Sequence, residues 1–155
     1  MQPMRAWMRP SHHLAWDPPE SETVSASEAV QAAELRAALR RFMHKSERIA
    51  RESGLTPQRQ LLLLMIKGAP DRSETSTVTE LTARLRLAHS TVAELVDRAV
   101  AAGLVERRRS DTDHRVVELR LAAEGERRLA RSFRDHRVER QRLLAALSDH
   151  LREPA

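Results

Sequence analysis

The chain of 155 residues contains no cysteine. That excludes disulfides, thiol-based redox sensing and zinc sites built on cysteine. Aromatic residues make up only 3%, with no tyrosine. Leu, Val, Ala and Ile must therefore build the core. Four glycines are scattered along the chain, too few and too far apart for a phosphate-cradling loop. No apolar run approaches the ~18 residues that a membrane span needs. The N-terminus lacks the apolar stretch of roughly 7–15 residues of a secretory signal. A soluble, cytoplasmic protein without a membrane partner is expected.

What is abundant is charge. Charged residues make up 32% of the chain and the formal net charge is +5. Of the 27 basic residues only Lys45 and Lys67 are lysine. Arginine supplies forked donors that suit phosphates and guanine edges. Genomic base composition also enriches arginine, so the total carries less weight than the cluster Arg107-Arg108-Arg109.

Four of the seven prolines fall in residues 1–25, together with Trp7, Trp16, His12 and His13. No period emerges there, and a flexible tail is expected. Ser25 followed by Glu28 has capping-box spacing and opens a long helix that Gly54 stops. Leu35, Leu39, Phe42 and Ile49 share one stripe of it. Thr56-Pro57 restarts the chain, and the apolar run Leu61–Ile66 predicts a buried helix. Thr77 caps a short helix ending at Leu85. Residues 86–88 turn, and His89–Ala102 form the next helix, with Val92, Leu95, Val96 and Ala99 inward.

Residues 104–109 read as a strand, 110–114 as a turn and 115–121 as the return strand. Helix resumes at Ala123, with Leu129, Phe133, Leu143 and Leu147 on one stripe that His136 and Arg140 interrupt. Ser148 reads as the cap of a last helix cut short by the chain end.

The pair of short helices followed by a basic hairpin is the layout of a small reader of double-stranded DNA. Arg115 at the hairpin tip suits the narrow minor groove, and Asp113 could hold a neighbouring guanidinium. His89, Ser90 and Thr91 offer short polar groups at a helix start. They suit phosphate and base contacts, or simply cap the helix. Glu94 and Asp97 oppose phosphate. They accept from a cytosine amine or pair with arginines of the protein, the latter favoured for Asp97. Arg98 completes the exposed face. His44, His136 and His150 lack the spacing of a metal site, and no catalytic motif is present. No enzyme activity, metal or cofactor is expected.

The stretches Gly54-Leu-Thr-Pro-Gln-Arg-Gln-Leu-Leu-Leu-Leu64 and Thr77-Val-Thr-Glu-Leu-Thr-Ala-Arg-Leu-Arg-Leu-Ala-His-Ser-Thr-Val92 resemble the MarR family of bacterial transcription regulators. So do Asp97-Arg-Ala-Val-Ala-Ala-Gly-Leu-Val-Glu-Arg-Arg108 and Asp113-His-Arg-Val-Val-Glu-Leu-Arg-Leu-Ala-Ala-Glu-Gly125. The resemblance extends over about residues 28–150. It implies a mainly α fold with a small β wing: a winged helix-turn-helix with long N- and C-terminal dimerisation helices. On that basis residues 1–25 are a tail and 26–155 one domain. Its DNA-binding lobe spans about 56–122, and its dimerisation helices about 26–53 and 123–153.

The resemblance further implies a homodimer that binds a near-palindromic operator. The helix from His89 would lie in the major groove and Arg115 in the minor groove, with Asp113 bracing the wing and Arg107, Arg108 and Arg109 on phosphates. A ligand-responsive repressor is the expected function, released by a small aromatic or anionic effector. Arg40, His44 and Arg59 are candidates to receive that effector where the first long helix, the helix of Leu61–Ile66 and the start of the helix after Gly125 meet. Leu35, Leu39, Phe42, Ile49, Leu129, Phe133, Leu143 and Leu147 are the expected dimer interface. Arg86 stands where relatives carry a turn glycine, Ala88 where they carry a capping serine and Ala122 where they carry threonine. The rival reading is a winged-helix protein-interaction module that does not read DNA, with Glu94, Asp97 and the short C-terminus in its favour.

Overall fold

The structure, a computed structural model, describes residues 23–152. The tail residues Trp7, His12, His13 and Trp16 lie outside the described residues. Six helices and one hairpin follow in order: α1 (Ala26–Glu52), α2 (Pro57–Lys67), α3 (Val78–Leu85), α4 (His89–Ala101), β1 (Val105–Arg109), β2 (Val117–Leu121), α5 (Ala123–Asp135) and α6 (Arg137–Arg152). The expected mainly α fold with a small β wing is what forms. No helix among the described residues is long and apolar enough to cross a membrane.

Capping chemistry sets the starts of α1, α2 and α3. The Ser25 hydroxyl accepts from the Glu28 amide, and the Glu28 carboxylate accepts from the Ser25 amide at 3.0 Å. That hydrogen-bonded serine also holds the exposed Glu28 carboxyl below the usual range. Thr77 and Glu80 form the same reciprocal box at the start of α3. Thr56 caps α2, with Pro57 at its first position, where a missing N–H costs nothing.

The core gathers around α2. Leu62, Leu63 and Ile66 pack with Leu81 of α3, with Val92, Leu95, Val96 and Ala99 of α4, and with Leu104, Leu119 and Leu121 of the wing base. The strands pair antiparallel, from Val105 opposite Leu121 to Arg109 opposite Val117. Ser76, just before α3, exchanges both backbone hydrogen bonds with Leu119 at 3.1 and 2.8 Å, which fastens the wing to the helical lobe. Lys67 at the end of α2 donates to Glu74 at 2.6 Å and to Glu126 of α5 at 2.8 Å. Those two carboxylates, Glu126 first, push its pKa up.

Several expectations change. α2 is buried on one side only, because Leu61 and Leu64 remain exposed. The return strand begins at Val117, so Arg115 sits in the turn and Val117 is exposed at the strand start. Helix α6 runs through Ser148 rather than starting there, and His136 alone separates α5 from α6. Ile49 and Leu129 are buried inside their own chain, where α1 and α5 meet the lobe, and cannot also face a second copy. Leu35, Phe42, Leu143 and Leu147 are half-buried, and α1 packs on α6 of the same chain. Leu39 and Phe133 are exposed.

Candidate nucleic-acid interface

Helix α4 is amphipathic about a fixed axis. Val92, Leu95, Val96 and Ala99 are buried, which turns His89, Ser90, Thr91, Glu94, Asp97 and Arg98 to solvent. The turn before it is unusual in chemistry. Arg86 adopts a left-handed conformation, φ 54° and ψ 41°, a region that favours glycine over residues with a Cβ. Ala88 occupies the N-cap position with no side chain able to cap. Neither Ser90 nor Thr91 takes over the capping role, so both hydroxyls stay available on the exposed first turn.

The two acidic residues on this face are paired within the protein. Glu94 meets Arg98 at 3.4 Å, one turn along α4. Asp97 accepts from Arg107 of β1 and so ties the exposed helix to the wing. Pairing of this kind leaves the face without bare negative charge.

The wing tip is closed by its own backbone. Ser110 donates its amide to the Val116 carbonyl at 2.9 Å. Asp113 accepts the backbone amide of Arg115 at 3.0 Å. The guanidinium expected against Asp113 is not there: the carboxylate at bonding distance of an arginine side chain is Asp111, at 3.1 Å from Arg108. A separation of two positions makes Asp113 a turn-former, because a carboxylate reaches the amide two positions on more easily than a long side chain folds back. Among the described residues, the side chains of Arg109 and Arg115 form no hydrogen bond or ion pair. Glu106 and Arg120, directly opposite across the strands, pair at 2.8 Å. Only the strand register, not the spacing, reveals that pair.

The candidate effector residues scatter. A mostly apolar cleft of about 330 Å³ opens between α1, α2 and the α5–α6 junction, at the end of α5 rather than at its start. None of Arg40, His44 and Arg59 lines it. Phe42, Met43, Ser46 and Glu47 are the α1 residues that do. At about 100° per residue, His44 falls roughly a third of a turn from that face, and Arg59 lies on the opposite side of α2. The cation at the cleft is Arg140, which the periodicity showed only as an interruption of an apolar stripe.

Residues 53–116 match the MarR family model, a span from the end of α1 to the wing turn. No curated protein sequence matches the chain. Among solved structures, it is similar to AbsC, a MarR family transcriptional regulator from Streptomyces coelicolor. Identity is 18%, over 81% of this chain and 83% of that one, with a TM-score of 0.65. It is similar to wild-type apo MarR from E. coli at 19% identity, over 84% and 96% of the two chains, with a TM-score of 0.62. A third is a point mutant of S. aureus MepR bound to an oligodeoxyribonucleotide, at 15% identity over 79% and 84%, with a TM-score of 0.58. The chain thus has the winged-helix fold of MarR family transcriptional regulators.

Proposed function

We propose that this protein is a MarR-type transcriptional regulator of the cytoplasm, a homodimer that binds a near-palindromic DNA operator and represses from it until a small effector releases it. The observation that carries the reading is the charge arrangement of one surface. The acids of α4 are neutralised by Arg98 and Arg107, while Arg109 and Arg115 on the adjoining wing keep their donors uncommitted. Arg109 and Arg115 gain by meeting phosphate and give up no internal partner in doing so, whereas Arg107 and Arg108 would share theirs with Asp97 and Asp111.

In this reading α4 enters the major groove. His89, Ser90 and Thr91 meet base edges, and Glu94 orients Arg98. Arg107, Arg108 and Arg109 meet phosphates, and Arg115 enters the minor groove from a tip that Asp113 holds rigid. The DNA-bound relative supports the reading by its fold. The rival, a module that binds protein instead, drew on Glu94 and Asp97. Both are paired internally, which removes its main support.

The test is a gel shift with DNA from upstream of the protein's own gene, at two salt concentrations. Arg115→Ala should weaken specific binding by about 1–3 kcal/mol and leave the melting temperature unchanged. Each phosphate-contacting arginine neutralised should flatten the salt slope by roughly one unit. Wild-type affinity in Arg115→Ala at physiological salt would remove the wing from the interface.

A further inference from the structure

The outer edge of the α1–α2–α5 cleft continues as a stripe along α1. Met43 and Glu47 line the cleft. Arg36, Arg40, Met43 and Glu47 follow one another at a 4-3-4 spacing, which an α-helix places on one face. Arg36 and Arg40 thus lie between the cleft and the start of α1 at Ala26. Both are exposed. Among the described residues neither forms an ion pair or a side-chain hydrogen bond. The stripe carries two uncommitted cations and ends against the exposed apolar side chains Met43, Leu61, Leu64 and Phe133.

Residues 1–22 precede the described chain and hold both of its tryptophans. Between Trp16 and Ala26 the sequence is Asp17-Pro-Pro-Glu-Ser-Glu-Thr-Val-Ser25, which carries Asp17, Glu20 and Glu22 and no cation. We propose that this segment folds back along α1 and seats the Trp16 indole in the cleft, with Asp17 and Glu20 over Arg40 and Arg36.

The lengths agree. The stretch of α1 from Ala26 to Met43 is about 26 Å long at a rise of about 1.5 Å per residue. The chain from Trp16 to Ala26 reaches about 33–36 Å when extended, enough to run that distance and cross onto the stripe. Pro18 and Pro19 favour the extended form. The charges agree as well. Arg40 and Arg36 lie about 4–5 Å and about 10 Å along the axis from Met43. Asp17 and Glu20 lie about 3 Å and about 13 Å along an extended chain from Trp16. Long arginine side chains close the remaining differences. Trp7 does not fit this register. Arg5 and Arg9 flank it and would set cations against cations, and its longer tether lowers its effective concentration at the cleft.

The cleft suits an indole. Its volume of about 330 Å³ is at the small end for ligand sites, and its walls are apolar. A buried tryptophan also needs an acceptor for its N–H. Glu47 at the cleft edge supplies one, since its contact with Arg51 at 3.5 Å leaves carboxylate lone pairs free. Val30, Val138 and Leu144 lie outside the cleft and stay open to a second copy. A small molecule entering the cleft would have to displace Trp16 first.

The chain has two tryptophans and no tyrosine, so its tryptophan fluorescence reports the tail alone. The experiment is acrylamide quenching of the full-length protein carrying Trp7→Phe, which leaves Trp16 as the fluorophore. Trp16 should emit to the blue of Trp7, read in the Trp16→Phe protein, and be quenched several-fold less. Met43→Glu, at a position 57% exposed, should return Trp16 to the emission and quenching of the unfolded chain. Arg36→Glu with Arg40→Glu should do the same without altering the cleft, and decides the matter if Met43→Glu does not fold. Adding Asp17→Arg and Glu20→Arg to the arginine reversals should restore protection. Trp16 quenched as freely as Trp7 would overturn the proposal, as would protection that survives both sets of variants. Protection lost on dilution to a folded monomer would also overturn it, by giving the cleft to the tail of a second copy. DNA binding, measured by gel shift on the same proteins, stands or falls separately.

Discussion

At Gly125 the lack of a side chain is what lets α5 start against the wing base. A Cβ there would sit 2.1 Å from the Leu104 carbonyl oxygen, which already accepts the Ala122 amide at 3.0 Å. Gly125→Ala must push α5 off the wing and should cost about 1–3 kcal/mol, as overpacking does. A melting temperature equal to wild type would show that the junction yields freely. His136 makes the second residue-scale prediction. Its folded pKa lies below its unfolded one, so the unfolded chain binds more protons in between. Stability therefore stands in full above the ordinary histidine value of about 6.5 and is lost as pH falls through it. Thermal melts across that window should show a steeper loss in wild type than in His136→Phe; parallel curves would mean the ring titrates alike in both states. Both residues were visible in the sequence, but not their reasons. Gly125 belonged to a recurring motif and His136 to an interrupted stripe. A close approach and a buried orphan nitrogen exist only once the chain is folded. The pairing of Asp97 with an arginine was legible, because an acid on a basic face has few alternatives. The partner of Asp113 was not, because a carboxylate in a turn serves the nearest amide first.

At the scale of elements, the starts of α1, α2 and α3 could be read directly, since Ser25, Thr56 and Thr77 carry their capping chemistry locally. The division between α5 and α6 could not. No proline or glycine marks it, and helical hydrogen bonds run across it, from His136 to the Ser132 carbonyl at 3.0 Å and from Arg140 to the His136 carbonyl at 2.9 Å. That α1, α2 and α5 meet around a cleft could be anticipated from the order of helices, but which end of α5 and which side chains line it depended on helix phase, which composition does not supply. The clearest element-scale test is α4. Ala88 leaves its first amides without a side-chain partner, so Ala88→Ser should stabilise the fold by about 0.5–2 kcal/mol, read as a higher denaturant midpoint. If operator affinity falls in the same variant, those amides are in use against phosphate. An unchanged midpoint would show that the left-handed turn at Arg86 forbids the capping geometry.

At the scale of the whole molecule, several large apolar side chains lie exposed on adjoining helices. Val30, Leu39 and Met43 on α1, Phe133 on α5, and Val138 and Leu144 on α6 are all exposed. Scattered apolar residues are ordinary on a surface, whereas a set of this size on adjoining helices points to association. A second copy is the simplest occupant, and a two-fold dimer would repeat the α4–wing surface at a fixed separation. The operator should then be a near-palindrome with half-sites about one helical turn apart. The dimer seam cannot include Ile49 or Leu129, which their own protomer buries, so the decisive substitution must lie elsewhere. Leu144 is 62% exposed, and replacing it removes nothing from the protomer core. Leu144→Asp should keep the circular dichroism and melting of a folded chain, sediment as a monomer at micromolar concentration, and lose operator binding. Loss of folding would place Leu144 in the protomer's own packing. A folded monomer that still binds the palindrome as tightly as wild type would show that recognition needs one protomer only, and the symmetry argument would fail with it.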